Sequence, residues 1–102
     1  NLIASTNASG VFFVSGDIHY AELSKRNPAN TYPLYDFTAS GITENYPPVA
    51  NQYRIGNPVE ANHVGMIDIN WNGDATQLNF SIIDVNGTPQ FEKQILLNEL
   101  QF

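Results

Sequence analysis

At 102 residues the chain is long enough for one small domain or part of a larger one, and 42% hydrophobic residues suffice for a core. Ten acidic residues against four basic ones give a formal net charge of -6, with no basic cluster beyond Lys25-Arg26, which argues against a nucleic-acid-binding surface. Zero cysteines exclude disulfides, thiolate ligands and cysteine nucleophiles, and no run approaches the roughly 18 apolar residues of a membrane span.

The charged share is 14%, low for a free-standing soluble domain, which predicts that part of the surface faces something else. The chain opens at Asn1 rather than at a methionine, for which a truncated or processed chain is the expected explanation. No signal peptide is visible.

Along the chain, Leu2 and Ile3 followed by Ser, Thr, Asn and Gly read as the end of a helix entering a loop. Val11 to Val14 is an unalternated apolar run, the pattern of a strand buried on both faces. It stops at Ser15-Gly16-Asp17. Tyr20 to Arg26 reads as a short helical turn, with Glu22 near its start and Lys25-Arg26 near its end as the helix dipole favours. Asn27-Pro28 breaks it. Tyr32 to Ala39 is a second strand, closed by Ser40-Gly41.

Residues 42–61 are rich in Pro, Asn and Gly, and Pro47-Pro48 predicts an irregular loop. Beyond it the period changes to two. Ile67, Ile69 and Trp71 alternate with Asp68 and Asn70, and Leu78, Phe80 and Ile82 alternate with Asn79 and Ser81. Asn72-Gly73-Asp74 is a turn between them. The alternation slips at Ile82-Ile83, which predicts a bulge or burial on both faces. Asn86-Gly87 is a hairpin signal, and Phe91, Lys93, Ile95 and Leu97 form the last strand. Trp71, Phe80 and Phe91 fit core positions. Three stretches follow: 1–41 with a strand, a polar loop and a second strand; 42–61 as a long loop; and 62–102 as an antiparallel meander.

The chemistry-bearing stretch is Val11 to Glu22. An apolar strand runs into Ser15-Gly16-Asp17-Ile18-His19-Tyr20, which sets a carboxylate and an imidazole two residues apart at its C-terminal end. In extended backbone such residues point the same way and can converge on a cation, and Gly16 permits close backbone approach. The same spacing also describes a turn-forming Asp beside a surface His, or Asp17 as a helix cap. Tyr20 and Glu22 read either as groups orienting His19 or as ordinary packing. Arg54 reads as a phosphate contact or a solvated loop arginine, and His63 as a structural or exposed histidine rather than a third ligand.

Val11 to Leu23 (VFFVSGDIHYAEL) resembles the last metal-binding block of PhoD-like alkaline phosphatases, members of the calcineurin-like metallophosphoesterase superfamily. Tyr32 to Thr43 (YPLYDFTASGIT) resembles the block that follows it, and Val64 to Trp71 with the closing hairpin resembles the C-terminal strands. The resemblance covers most of the chain in the same order. It implies the C-terminal part of a four-layer αββα sandwich, an α/β fold, with this stretch β-rich and ending in an antiparallel meander. It makes Asp17 and His19 ligands of a dinuclear metal centre, completed by residues outside this chain. Asp17 stands where the wider superfamily has the first histidine of Gly-His-x-His. An oxygen donor there favours Ca, Mn or Fe over Zn.

The resemblance further implies metal-dependent hydrolysis of phosphate mono- or diesters, with the metals holding and polarising the phosphate and generating the attacking hydroxide. The other ligand blocks are absent from these residues, so activity is expected only together with an N-terminal remainder of the same protein. Family members often carry a His where this sequence has Glu44, which sets any substrate role of that position in question. A periplasmic or extracellular location is implied by resemblance alone. The competing readings are a non-catalytic β-rich binding or structural module, and an enzyme fold that has lost its chemistry.

Overall fold

The computed structural model describes residues 2–42, 46–73 and 75–102, a small β-rich domain of two sheets with one short α-helix. The helix α1 (Leu2–Thr6) is followed by strands β1 (Phe13–Ser15), β2 (Ala21–Arg26), β3 (Leu34–Ala39), β4 (Arg54–Val59), β5 (His63–Asn70), β6 (Gln77–Asp84) and β7 (Pro89–Leu96). A 3-10 helix (Leu97–Leu100) ends the fold. Among the described residues no helix is long and apolar enough to cross a membrane.

The first sheet runs β1-β3-β2-β4 and the second β5-β6-β7. β1 pairs with β3 in parallel, Val14 opposite Phe37, and every other pairing is antiparallel. The sheets pack face to face with β3 over β5 and β4 over β7. Two glycines permit that approach. A Cβ on Gly65 would stand 2.7 Å from the Ala39 Cβ, and one on Gly56 would stand 3.1 Å from the Phe91 ring.

Between the sheets, alternate residues of each strand point inward. Ala21, Leu23, Tyr35 and Phe37 face Leu78, Phe80, Ile82 and Ile95, all buried in one cluster. Phe80 is its centre, meeting Phe37 and Phe12 edge to face at 5.2 and 5.4 Å between ring centroids. Burial of the Leu, Ile and Phe side chains among them, each contributing about 1.5–3 kcal/mol, dominates the fold's stabilisation.

The meander has the expected form. The register of β6 on β7 shifts at Ile82/Ile83, Ile83 pairing with Pro89, so Gln90 is the extra residue of a bulge. At the hairpin, Gly87 takes φ +78°, and the Asp84 carboxylate accepts the backbone N–H groups of Asn86 and Thr88 and the side-chain amide of Gln90. Asp74, in the turn expected before β6, lies outside the described residues.

Four expectations are corrected. Tyr20 to Arg26 is no helical turn: Ala21–Arg26 is β2, paired on both sides. Extended, these residues pair with β3 and β4 and bury Ala21 and Leu23 in the core, and that tertiary gain overrides the local helix preference. The stretch 42–61 is not one loop, because it contains β4; this edge strand tolerates Pro58 and accommodates Gly56 at φ +67° beside a register shift. Val11 to Val14 does not form a strand buried on both faces. Val11 and Phe12 pack against the core before the strand begins, and β1 is a three-residue edge strand with Val14 68% exposed.

Trp71, expected in the core, is 75% exposed. The reason is positional. Ile67, Ile69 and Trp71 follow the inward period, but β5 is the edge strand of its sheet and Trp71 lies just past its end. β3 lies over β5 and β1 flanks β3 on the side away from β2, which sets β1 toward that edge, and Val14 there is 68% exposed. The sandwich is therefore open along the side of β1 and β5, where Val14, Ile69 and Trp71 meet solvent.

Candidate functional site

The Ser15-to-His19 segment leaves the C-terminal end of β1 on that open side. Ser15 closes the strand by bonding across to β3, its hydroxyl 2.8 Å from Asp36 Oδ1 and 2.5 Å from Thr38 Oγ1. Gly16 follows against Ser40, where a Cβ would meet the serine Cβ at 3.4 Å. The chain then coils. Asp17 at φ 70° and His19 at φ 59° both adopt the left-handed region. Each such residue costs about 1 kcal/mol, and Asp and His are among the few types that tolerate it. Strained non-glycine residues gather at functional loops.

This geometry corrects the argument from strand alternation. The backbone between Asp17 and His19 is not extended, so a shared side-chain direction does not follow from their spacing. Instead, Asp17 is exposed and His19 is half-buried on one tight turn.

His19 is held by partners distant in sequence. Its backbone N–H donates to Ser40 Oγ at 3.0 Å, and its carbonyl accepts the N–H of Tyr46 at 3.0 Å. The Tyr46 ring stacks on the imidazole at 4.7 Å between centroids and 4° between planes. Neither Ser40 nor Tyr46 stood out in the sequence beyond a strand stop and a loop aromatic. A long-range backbone bond leaves no local signature, so no pattern within either segment pointed to His19.

Tyr20, Glu22 and Arg54 come together around a different task. Tyr20 is buried, and its hydroxyl accepts the N–H of Val49 at 3.4 Å. Glu22, 7% exposed, faces outward from β2, opposite to Ala21 and Leu23. Arg54 Nε and Nη2 donate to its Oε1 at 3.0 and 2.8 Å, and Asn51 Nδ2 and Ser24 Oγ donate to its Oε2. Arg54 also donates to the Val49 carbonyl. The guanidinium charge is thus matched by Glu22 rather than offered to a phosphate. The three side chains tie the 46–54 segment to β2, and that segment carries Tyr46 to His19.

His63 is structural. It is 2% exposed and bonded through both ring nitrogens to Gly41 N and Ala61 O. Glu44 lies outside the described residues.

Among the described residues no group of three or more His, Asp, Glu or Cys side chains gathers at one point. As donors, a carboxylate and an imidazole fit part of a mixed oxygen and nitrogen cation site. A resident metal would need further ligands. No protein-family model, curated protein or solved structure matches the chain.

Proposed function

We propose that this chain is the ligand-bearing C-terminal part of a PhoD-like metallophosphoesterase, a metal-dependent hydrolase of phosphate mono- or diesters. Asp17 and His19 would be two ligands of its dinuclear centre. The observation that carries the reading is the strained turn at the end of β1, in which two potential ligands both hold left-handed backbone. The structure keeps that strain in place through Ser40 and Tyr46. Such a turn lies at the carboxyl end of a parallel strand, where sites in sheet-based folds are usually built.

The open side of the sandwich supports the rest of the proposal. Exposed inner-face residues Val14, Ile69 and Trp71 fit an N-terminal remainder of the same protein that extends both sheets and supplies the missing ligands. The two sheets here would then be parts of the inner layers of a four-layer αββα sandwich. The Asp donor favours Ca, Mn or Fe over Zn, and the family points to an exported enzyme. When bound, a dinuclear centre supplies Lewis-acid polarisation of a phosphoryl oxygen and a water acidic enough to attack. The chain's own part is to present Asp17 and His19. The His19 ring plane is fixed by stacking, and the carboxylate is left accessible.

The test is Asp17→Ala and His19→Ala in the full-length protein. Both are expected to lower metal content and phosphoesterase turnover sharply, with thermal stability retained because neither residue lies in the core. Unchanged turnover in both variants would refute the assignment. The rival reading, a β-rich module without chemistry, draws on there being no group of three or more His, Cys, Asp or Glu side chains gathered among the described residues. It predicts no metal at all in the full-length protein.

A further inference from the structure

We propose that His63 is a positioning residue for His19, acting through the Ser40-Gly41 turn; this rests on His19 being a metal ligand. The turn closes β3 and has its own side of the site to hold: Ser40 Oγ takes the His19 N–H at 3.0 Å, and the Ser40 Cβ backs Gly16. What fixes the turn comes from the other sheet. The His63 N–H donates to the Gly41 carbonyl at 3.1 Å, and the Gly41 N–H donates to His63 Nε2 at 3.1 Å, a reciprocal pair between the end of β3 and the start of β5.

The chemistry of that pair defines the ring. A backbone N–H can only donate, so Nε2 accepts and carries no proton. Nδ1 therefore bears the hydrogen and donates to the Ala61 carbonyl at 2.7 Å. A neutral imidazole suits the site because both of its nitrogens are satisfied without a charge being buried. An alkyl side chain there would leave the Gly41 N–H and the Ala61 carbonyl without these partners. Two residues further along β5, Gly65 lets the strand lie directly against Ala39 and Phe37. The route from His63 to His19 is thus two hydrogen-bonded steps through the Ser40-Gly41 segment. Groups that hydrogen-bond a metal ligand directly typically contribute about 10- to 100-fold in metal affinity; Ser40 is the group next to His19, and His63 acts one step behind it.

The experiment measures Mn²⁺ affinity by calorimetry in the full-length protein, together with thermal stability and amide hydrogen exchange without metal. The variants are His63→Leu, His63→Gln, Ser40→Ala and His19→Ala. His63→Leu is expected to weaken Mn²⁺ binding by up to about tenfold and to raise exchange at the His19 amide by a larger factor than at Phe80. His63→Gln, whose carbonyl can accept the Gly41 N–H, recovers most of the affinity. Ser40→Ala, which removes only the last step, weakens binding in a protein that stays folded, so it decides the matter should His63→Leu fail to fold.

Wild-type Mn²⁺ affinity in both His63→Leu and Ser40→Ala, with affinity lost in His19→Ala, overturns the positioning role while leaving the metal site standing. A uniform rise in exchange across β5 and β6, with no excess at His19, also overturns it. Unchanged affinity in His19→Ala removes the metal reading and this proposal with it.

Discussion

Replacing Arg54 with alanine would leave the Glu22 carboxylate buried beneath the 46–54 segment without its counter-charge. The side chains of the pair are 8% and 15% exposed, so little water can take the place of the guanidinium. Breaking a buried pair by removing one partner costs about 3–5 kcal/mol. Asn51 and Ser24 still donate to Oε2, which places the expected loss near the lower end, about 3 kcal/mol. Against a total stability of about 5–15 kcal/mol for a domain this is a large fraction.

Urea unfolding of Arg54→Ala measures the loss, and Glu22→Gln with the double variant completes a cycle. The double variant is expected to lose less than the sum of the singles, with a coupling of about 1–3 kcal/mol. Because the pair anchors the segment bearing Tyr46, Arg54→Ala should also loosen the stacking on His19, visible as altered ring chemical shifts. A change of less than about 0.5 kcal/mol in Arg54→Ala, as for ordinary surface substitutions, would refute the claim that the pair is desolvated and holds the segment.

Two further outcomes follow from the packing and from the hairpin. Gly65→Ala drives a Cβ to 2.7 Å from Ala39 and 3.0 Å from the Phe37 ring, and should cost about 1–3 kcal/mol in thermal or urea unfolding; undiminished stability would mean that the sheets do not meet there. The N–H of Thr88 above all, helped by Gln90 and the N–H of Asn86, holds the Asp84 carboxyl below its ordinary value of 3.8 despite opposing desolvation. Its folded pKa lies below its unfolded one, so its stabilisation is present at neutral pH. It is lost as pH falls through 3.8 toward the folded value. Asp84→Asn should flatten that acid limb of the unfolding curve, and an unchanged limb would contradict the assignment.

Sequence made some of this structure legible and hid the rest for physical reasons. The β6–β7 hairpin was readable because Asn86-Gly87 and strict alternation are local signals, and even its bulge showed as a slip at Ile82-Ile83. β2 was misread because Glu22 and Lys25-Arg26 suit a helix dipole, while the pairing that makes it a strand comes from β3 and β4, distant in sequence. Gly56 and Pro58 concealed β4; the edge position explains the proline, and the register shift and the Phe91 ring against it explain the glycine. Trp71 had the inward period but not the burial, since alternation reports the face of a strand and not what covers it.

At the site, Ser15 to His19 was recognisable as a polar stop at a strand end. The left-handed backbone, the Ser40 and Tyr46 contacts and the Glu22–Arg54 pair were not, because each depends on residues brought together by the tertiary fold.

The most direct measurement is the metal content of the purified full-length protein, by elemental mass spectrometry, for wild type and for the Asp17→Ala and His19→Ala variants under identical loading. A dinuclear site requires about two metal ions per chain in the wild type, with clear loss expected in each variant. Equal metal content in all three proteins would contradict it.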